Sequence, residues 1–454
     1  MKKEGDYMSK YGKEDILRLA EEEDVEFIRL QFTDIFGMLK NVAVTFSQLR
    51  KALDGRCMFD GSAIEGFVRD DESDMYLYPD LDTFEIFPWR PQQGKVARLI
   101  CDVCRPNGTP FEGDPRYVLK KALNRARNMG YEFYAGPECE FFLFHLDDEG
   151  LPTTVTHEKA GYFDVGPLDF AENVRRDIVM NLEDMGFEIE ASYHEMSPAQ
   201  HEIDFHYNKG LATADNIVTF KMAVKSIAKR HGLHATFMPK PKEGVNGSGM
   251  HLNLSLFDQD GKNVFDDPRD IRGLGLSRTA YQFMAGIMNH IDGMALLTNP
   301  LVNSYKRLIP GYDAPVYKAW APSAARSCVM RIPNARGANT RVELRSPDSA
   351  MNPYLTLAVI LEAGLEGIEK AEEIGDPVSG NLYSLSENDR KDMGVGQIPH
   401  TLGEAVYAFE RDPFVRRVLG EHIYNKYLEA KKAEWNQFRA QVTDWEIGQY
   451  LFKY

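Results

Sequence analysis

The sequence predicts an α+β protein with two unequal domains. Three observations carry that expectation. Short alternating stretches crowd the first hundred residues. A Pro/Asn/Gly-rich stretch, Arg105-Pro-Asn-Gly-Thr-Pro110, then marks a boundary. The long remainder mixes strand-like and helical segments without the regular βαβ spacing of a dinucleotide fold. The division is a tail over 1–13, a small domain over 14–108 and a larger domain over 109–454 ending in a helical segment.

Within the small domain, residues 14–23 read as a short surface helix with Ile16, Leu17 and Leu19 inward. Residues 25–32 and 40–44 read as strands on either side of a turn at Thr33–Gly37. Residues 59–69 read as a loop containing Gly61 and Gly66, followed by an acidic run over 70–74. Residues 76–89 are aromatic and proline-rich, and 95–104 closes the domain as a strand. Asp114, Pro115 and Gly130 then supply an N-cap, a first-turn proline and a stop for one helix. Further helices are predicted over 170–185, 213–231, 277–298, 353–373, 401–419 and 421–438. Thr401 and Glu404 form a capping box.

Composition narrows the function. The 454 residues carry a net charge of −16, which argues against a general binder of nucleic acid or membrane surfaces. No apolar run is long enough to span a bilayer, and the charged N-terminus has no apolar signal core. Met8-Ser-Lys reads as an alternative start. The five cysteines are Cys57, Cys101, Cys104, Cys139 and Cys328, an odd number that suggests reduced thiols in a cytoplasm. Cys101-Asp-Val-Cys104 has no second pair and reads as packing.

The most informative stretch is Asn246-Gly-Ser-Gly-Met-His-Leu-Asn-Leu-Ser255. Gly247 and Gly249 leave backbone N–H groups open to a ligand. From His251 onward the pattern has period two. His251, Asn253 and Ser255 share one face, and Leu252, Leu254 and Leu256 the other. Four further stretches carry charge on a single strand face: Glu138-Cys-Glu140, Glu195 with its neighbours, Glu202-Ile-Asp204-Phe-His206 and Arg341-Val-Glu343-Leu-Arg345. Each alone reads more readily as the solvent face of an antiparallel sheet. Together, five carboxylates (Glu138, Glu140, Glu195, Glu202 and Glu343) and His251 suit Mg²⁺ or Mn²⁺ better than a structural zinc, and six ligands split naturally over two ions. Arg307, Arg326 and Arg331 add two-pronged partners for a multiply charged substrate. Pro310-Gly-Tyr-Asp-Ala-Pro315 reads as a rigid surface turn or as a flap over the pocket.

Six blocks in this order resemble the bacterial class I glutamine synthetases, in their short, Gram-positive-type form. They are Phe59-Asp-Gly-Ser-Ala-Ile-Glu-Gly, Gly136-Pro-Glu-Cys-Glu-Phe-Phe, Gln200-His-Glu-Ile-Asp-Phe, Asn246-Gly-Ser-Gly-Met-His, Asn303-Ser-Tyr-Lys-Arg-Leu and Arg341-Val-Glu-Leu-Arg. The resemblance runs from about Met8 to Tyr454. It implies an N-terminal β-grasp domain and a catalytic domain built on a curved antiparallel sheet. It also implies a homo-oligomer, a dodecamer of two stacked hexameric rings with shared active sites.

By matching positions it implies that Glu140, Glu195 and Glu202 hold one Mn²⁺ or Mg²⁺, and that Glu138, His251 and Glu343 hold another. Glutamate falls to Asn246, Gly247, Arg307, Asp313, Arg326 and Arg345. ATP falls to Glu190, Phe205, Tyr207, Asn253, Ser255, Arg326, Arg331 and Arg341. Asp60, from an adjacent subunit, binds and deprotonates ammonium, and Asp60, Asp313 and Arg326 are the catalytic set. The implied reaction phosphorylates the γ-carboxylate of glutamate with ATP and then displaces phosphate with ammonia. Arg69 matches an arginine that mediates glutamine feedback. Asp313 stands where the family usually has glutamate, and Ala63 where it commonly has serine. Tyr383 resembles a tyrosine adenylylated in the longer form and reads here as an unmodified loop tyrosine. Two rival readings remain: a ligase joining glutamate to polyamines or other amines, and a glutamine-sensing partner of a nitrogen-control repressor.

Overall fold

A computed structural model describes residues 10–67, 74–90, 93–322 and 326–454. Arg69 lies outside the described residues. Among the described residues the chain forms two sheets, each with its own core. The first contains β1 (Val25–Thr33), β2 (Leu39–Thr45), β3 (Cys57–Asp60), β4 (Asp74–Pro79), β5 (Glu85–Ile86) and β6 (Lys95–Cys104), ordered β2-β1-β6-β4-β3 with β5 paired to β6. Alternation explains its packing. Ile28, Leu30 and Phe32 of β1 and Ala97, Leu99, Cys101 and Val103 of β6 are buried in one cluster. The helix Lys13–Glu22 adds Ile16 and Ala20 to it, and the helix Phe46–Leu53 adds Leu49 and Leu53. Cys101 and Cys104 are buried free thiols, as the packing reading expects, and burial pushes Cys104 up to about 11.

One expectation fails in this domain, and one element lies where none was predicted. The start of the predicted 59–69 loop is the end of β3, which pairs with β4 through Phe59↔Met75 and Asp60↔Asp74. The helix Phe46–Leu53 was not expected. It is only eight residues long, and its N-cap Thr45 makes no side-chain cap.

The second sheet contains β7 (Glu132–His145), β8 (Ile189–His194), β9 (Gln200–Phe205), β10 (Asn208–Lys209), β11 (Leu233–Thr236), β12 (Met250–Phe257), β13 (Tyr317–Pro322), β14 (Cys328–Ile332) and β15 (Val342–Leu344). Its order is β13-β14-β15-β12-β7-β9-β8, with β10 and β11 also on β7. β13 runs parallel to β14, so the sheet is mixed and not wholly antiparallel as expected. The 14-residue β7 is its spine. Helices Gly210–Arg230, Arg278–Thr298 and Pro353–Glu369 supply much of the core. The last two approach through glycines: a Cβ on Gly286 would lie 2.0 Å from the Ala363 carbonyl oxygen.

The single helix predicted over 401–419 is two. Leu402–Arg411 ends before Asp412, whose carboxylate accepts the Phe414 N–H at 2.9 Å and caps a new helix at Pro413. Proline tolerates that first-turn position because its missing N–H would have no partner there. The predicted capping box is half made. Thr401 accepts the Glu404 N–H, whereas the Glu404 carboxylate takes the His400 N–H.

Arg116 joins the domains. This buried guanidinium pairs with Asp80 and Asp102 of the first domain and Asp215 of the second at 2.7–2.8 Å. Among the described residues, no helix is long and apolar enough to cross a membrane.

Candidate active site

The register of the second sheet sets the site. β7 places Glu138 and Glu140 two residues apart, so both side chains leave the same face. Glu138 lies opposite His251 on β12, and Glu140 lies opposite Glu202 on β9. Asn253 faces Glu343 on β15, and Glu343 faces Arg331 on β14. The leucines of β12 are fully buried behind this face, whereas His251 and Asn253 are partly open.

Two adjoining cavities follow, with Glu138 and Asp204 in the wall of both. The first, about 380 Å³, is lined by Glu138, Glu140, Glu195, Glu202 and His251 together with Asn246, Gly247, Asp313, Arg307, Arg326, Arg331 and Arg345. The second, about 280 Å³, is lined by Glu190, Phe205, Tyr207, Asn253, Ser255 and Arg341. The residues expected around glutamate and around ATP thus separate into different chambers, with Arg326 and Arg331 on the first. The ring of Phe205 packs against Phe187 and Phe220 in the core. Glu343 lies just behind the first cavity wall, 2.7 Å from Arg331 and 3.1 Å from Arg345.

Ligand atoms of Glu138, His251 and Glu343 come within 4.8 Å of one another. Glu138 Oε2 is 2.9 Å from His251 Nδ1, and its Oε1 accepts Asn253 Nδ2 at 3.0 Å. Asn253 in turn accepts Arg341 Nε at 3.0 Å, within the second chamber. Burial works to raise Glu138, but the hydrogen bond and charge of His251 outweigh it and bring it down to about 2. The neighbouring carboxylates behave oppositely. Burial, with Glu195 adding to it, lifts Glu140 to about 7. Burial and then Glu140 raise Glu202, and burial and then Glu138 lift Asp204 to about 8. Crowded buried carboxylates of this kind hold protons unless a cation replaces them. Both oxygens of Glu343 and Oδ1 of Asp204 are buried without a well-aligned hydrogen bond. Orphaned hard oxygens beside one imidazole are the donor set that Mg²⁺ or Mn²⁺ takes.

The Gly-rich loop serves a purpose the sequence reading did not name. A Cβ on Gly247 would sit 2.2 Å from the Pro239 carbonyl, and one on Gly249 would sit 2.6 Å from Arg307 Nη2. The glycines therefore make room for Arg307, which donates to the Ser346 and Arg345 carbonyls at 2.9 and 3.2 Å. Tyr312, Asp313 and Ala314 of the 310–315 segment line the first cavity. Asp313 meets Arg326 at 2.9 Å, Lys240 Nζ sits 3.9 Å above the Tyr312 ring, and the Tyr383 hydroxyl donates to the Ala314 carbonyl. Asp313 holds a left-handed φ of 52°.

Asp60 lies outside both cavities of its own chain. It is exposed and accepts hydrogen bonds from the backbone and hydroxyl of Ser62 at 2.9 and 2.6 Å. Sequence reasoning missed Gln200, which donates to Glu140 Oε2 at 2.8 Å and to the Gly247 carbonyl at 3.0 Å. Gln200, Glu202 and Asp204 are spaced by two on one strand, so the period that exposed the acids could have found it. His206, on that same predicted face, turns instead to Glu190 at 2.6 Å.

Family models match both domains: "Glutamine synthetase, beta-Grasp domain" over residues 24–106 and "Glutamine synthetase, catalytic domain" over 112–450. A glutamine synthetase of Clostridium saccharobutylicum is 59% identical over 447 residues, covering 98% of this chain and 100% of that protein. One from Staphylococcus aureus (strain N315) is 54% identical over 98% of this chain and 99% of its own length. Among solved structures, one described as "GmaS/ADP complex-Conformation 1" is 33% identical with a TM-score of 0.88, covering 96% of this chain and 99% of that one. The cryo-EM structure of Plasmodium falciparum glutamine synthetase, 24% identical, shares the fold with a TM-score of 0.86 over 98% of this chain and 99% of that one.

Proposed function

The chain belongs to the glutamine synthetase family and is an ATP-dependent glutamate–ammonia ligase, and from that premise we propose which of its residues carry each part of the reaction. The observation that supports the assignment is the pairing of Glu138 with His251 and of Glu140 with Glu202 on either side of one turn of the β7 pleat. Glu138, His251 and Glu343 would hold one Mg²⁺ or Mn²⁺, and Glu140, Glu195 and Glu202 a second. When bound, such ions neutralise charge on the polyphosphate and on the carboxylate that attacks it.

ATP occupies the second chamber, against Glu190, Phe205, Tyr207, Asn253, Ser255 and Arg341. Glutamate occupies the first, with Asn246, Gly247, Arg307 and Arg345 gripping it. A γ-carboxylate oxygen attacks the γ-phosphorus, the bond to ADP breaks, and γ-glutamyl phosphate forms. Arg326 and Arg331 face the phosphoryl group in transfer and stabilise its charge. Ammonium then gives a proton to Asp60, the ammonia nitrogen bonds to the acyl carbon, and the bond to phosphate breaks, the nitrogen's surplus proton leaving with the phosphate. Asp313 and its flap keep water from the acyl phosphate.

Because Asp60 is exposed and lines neither cavity of its own chain, the reading requires a second copy to supply it. A dodecamer of two hexameric rings with shared sites meets that need. Feedback through Arg69, docking of a nitrogen-control repressor and a cytoplasmic location complete the proposal.

The test is ligation driven by ATP and glutamate with Mg²⁺ or Mn²⁺, comparing ammonium with methylamine and a polyamine. Ammonium is the expected acceptor. Glu343→Ala should lower kcat by roughly 100-fold or more, the scale on which charge-stabilising groups act. Turnover with amines alone, or a fully active Glu343→Ala enzyme, would reject the assignment.

A further inference from the structure

A second cluster of metal-type side chains lies outside the two cavities. Glu158, Asp169, His194 and His201 bring ligand atoms within 4.8 Å of one another, and all four are buried. The contacts argue against a cation there. Arg175 stands among them, donating to Asp169 Oδ2 at 2.7 Å and lying 2.9 Å from His201 Nδ1. Arg175 and backbone N–H groups already engage these ligand atoms through formed hydrogen bonds, unlike the oxygens of Glu343. Asp169 Oδ1 accepts the Ala171 N–H, and of the four residues' ligand atoms only His201 Nε2 lacks a hydrogen-bond partner.

What the cluster does hold is a turn. His194 Nδ1 donates to the Glu195 carbonyl at 2.6 Å, since a carbonyl can only accept. That bond aims Nε2 at Glu158 Oε1, 2.8 Å away. The same Glu158 oxygen accepts the Ala199 N–H, and the other accepts the Phe170 N–H at 3.2 Å. Glu158 therefore grips residues 194 and 199, at the two ends of the 195–200 turn. The turn needs a grip, because Ala199 has a φ of 70°, a left-handed conformation that a residue with a Cβ disfavours. Glu195 begins this turn and Gln200 ends it, with Glu195 N–H bonded to the Gln200 carbonyl at 2.9 Å. Gln200 reaches on to Glu140. The clamp thus touches the supports of Glu195 and Glu140, whereas the side-chain hydrogen bonds and ion pairs of Glu138, His251 and Glu343 join them to one another, to Asn253 and to Arg331.

We propose that Glu158 and His194 are positioning residues, which hold the 195–200 turn so that Glu195 and Glu140 present their oxygens to one of the two divalent cations. The proposal rests on the metal role assigned to Glu195. The test titrates metal-free, full-length enzyme with Mn²⁺ and counts free ion by its paramagnetic resonance signal. Glu158→Gln and His194→Gln should weaken one Mn²⁺ per subunit by roughly 10- to 100-fold, as loss of a ligand's hydrogen-bonded support does elsewhere, and leave the other unchanged. Glu195→Ala should remove that same ion. Adding Ala199→Gly to Glu158→Gln should recover much of the lost affinity, because glycine adopts the turn without a grip. Unaltered binding in Glu158→Gln alongside loss of an ion in Glu195→Ala would overturn the clamp alone. Two full ions in Glu195→Ala would instead overturn the metal assignment and the clamp with it. Equal weakening of both ions, or a third ion that Glu158→Gln abolishes, would also refute it.

Discussion

Gly249→Ala tests how closely the site is built, because one methyl group is the whole perturbation. The new Cβ would begin 2.6 Å from Arg307 Nη2 and 3.3 Å from Glu140 Oε1. To reach the 3.4 Å of ordinary contact, the guanidinium must retreat by about 0.8 Å. Its bond to the Arg345 carbonyl is already 3.2 Å long and would be the first to break. A buried carbonyl left unpaired costs about 1–3 kcal/mol, so the urea midpoint should fall by a corresponding amount. Arg307 is proposed to grip glutamate; displacement of such a group on the ångström scale typically costs ~100-fold in rate, and kcat/KM for glutamate should drop on that scale. ADP affinity, measured by calorimetry, should stay within a few-fold, since the nucleotide chamber has no contact with Gly249. Normal kcat/KM for glutamate would refute the packing argument. Equal losses of glutamate and ADP binding would show general loosening instead.

Tyr383→Phe removes the hydroxyl that holds the Ala314 carbonyl, a bond worth ~1 kcal/mol, so glutamate-dependent ATP hydrolysis without ammonium should rise about fivefold relative to ligation. An unchanged ratio would mean that the flap is held by Lys240 and Arg326 alone. Glu85 links stability to pH. Burial raises its carboxyl from 4.5 to about 7, against the pull of Arg98. The folded state therefore binds the proton more tightly, and this contribution, whole below pH 4.5, is lost as pH climbs through about 7. Discounted for partial exposure, it amounts to about 1–2 kcal/mol. Glu85→Gln, compared with the parent by urea unfolding at pH 5 and pH 8, should remove that difference, and identical slopes would disprove it.

Much of the site could be read from period two alone. The leucines and the polar trio of β12 take opposite faces as their alternation requires, and the acids of β7 and β9 lie across from each other. The predicted strand 95–104 coincides with β6, a run whose ends are marked by charge and proline. Features made by distant contacts were not legible. Nothing local tells that Gly249 makes way for a side chain 58 residues later, or that Glu158 holds Ala199. Asp-Pro marks the break at Asp412, but the apolar period continues through it in Phe414, Val415 and Val418 and masks it.

The carboxylates of β7 have one more consequence. Their Cα atoms are two residues apart on an extended chain, about 6.6–6.8 Å. Covalent bonds, not packing, therefore act as the ruler between the two proposed cations. Repacking the surrounding helices can tilt the pair but cannot stretch it. A single inserted residue between Glu138 and Glu140 would turn one of them toward the leucine side, taking a ligand from one proposed cation while leaving the other's in place.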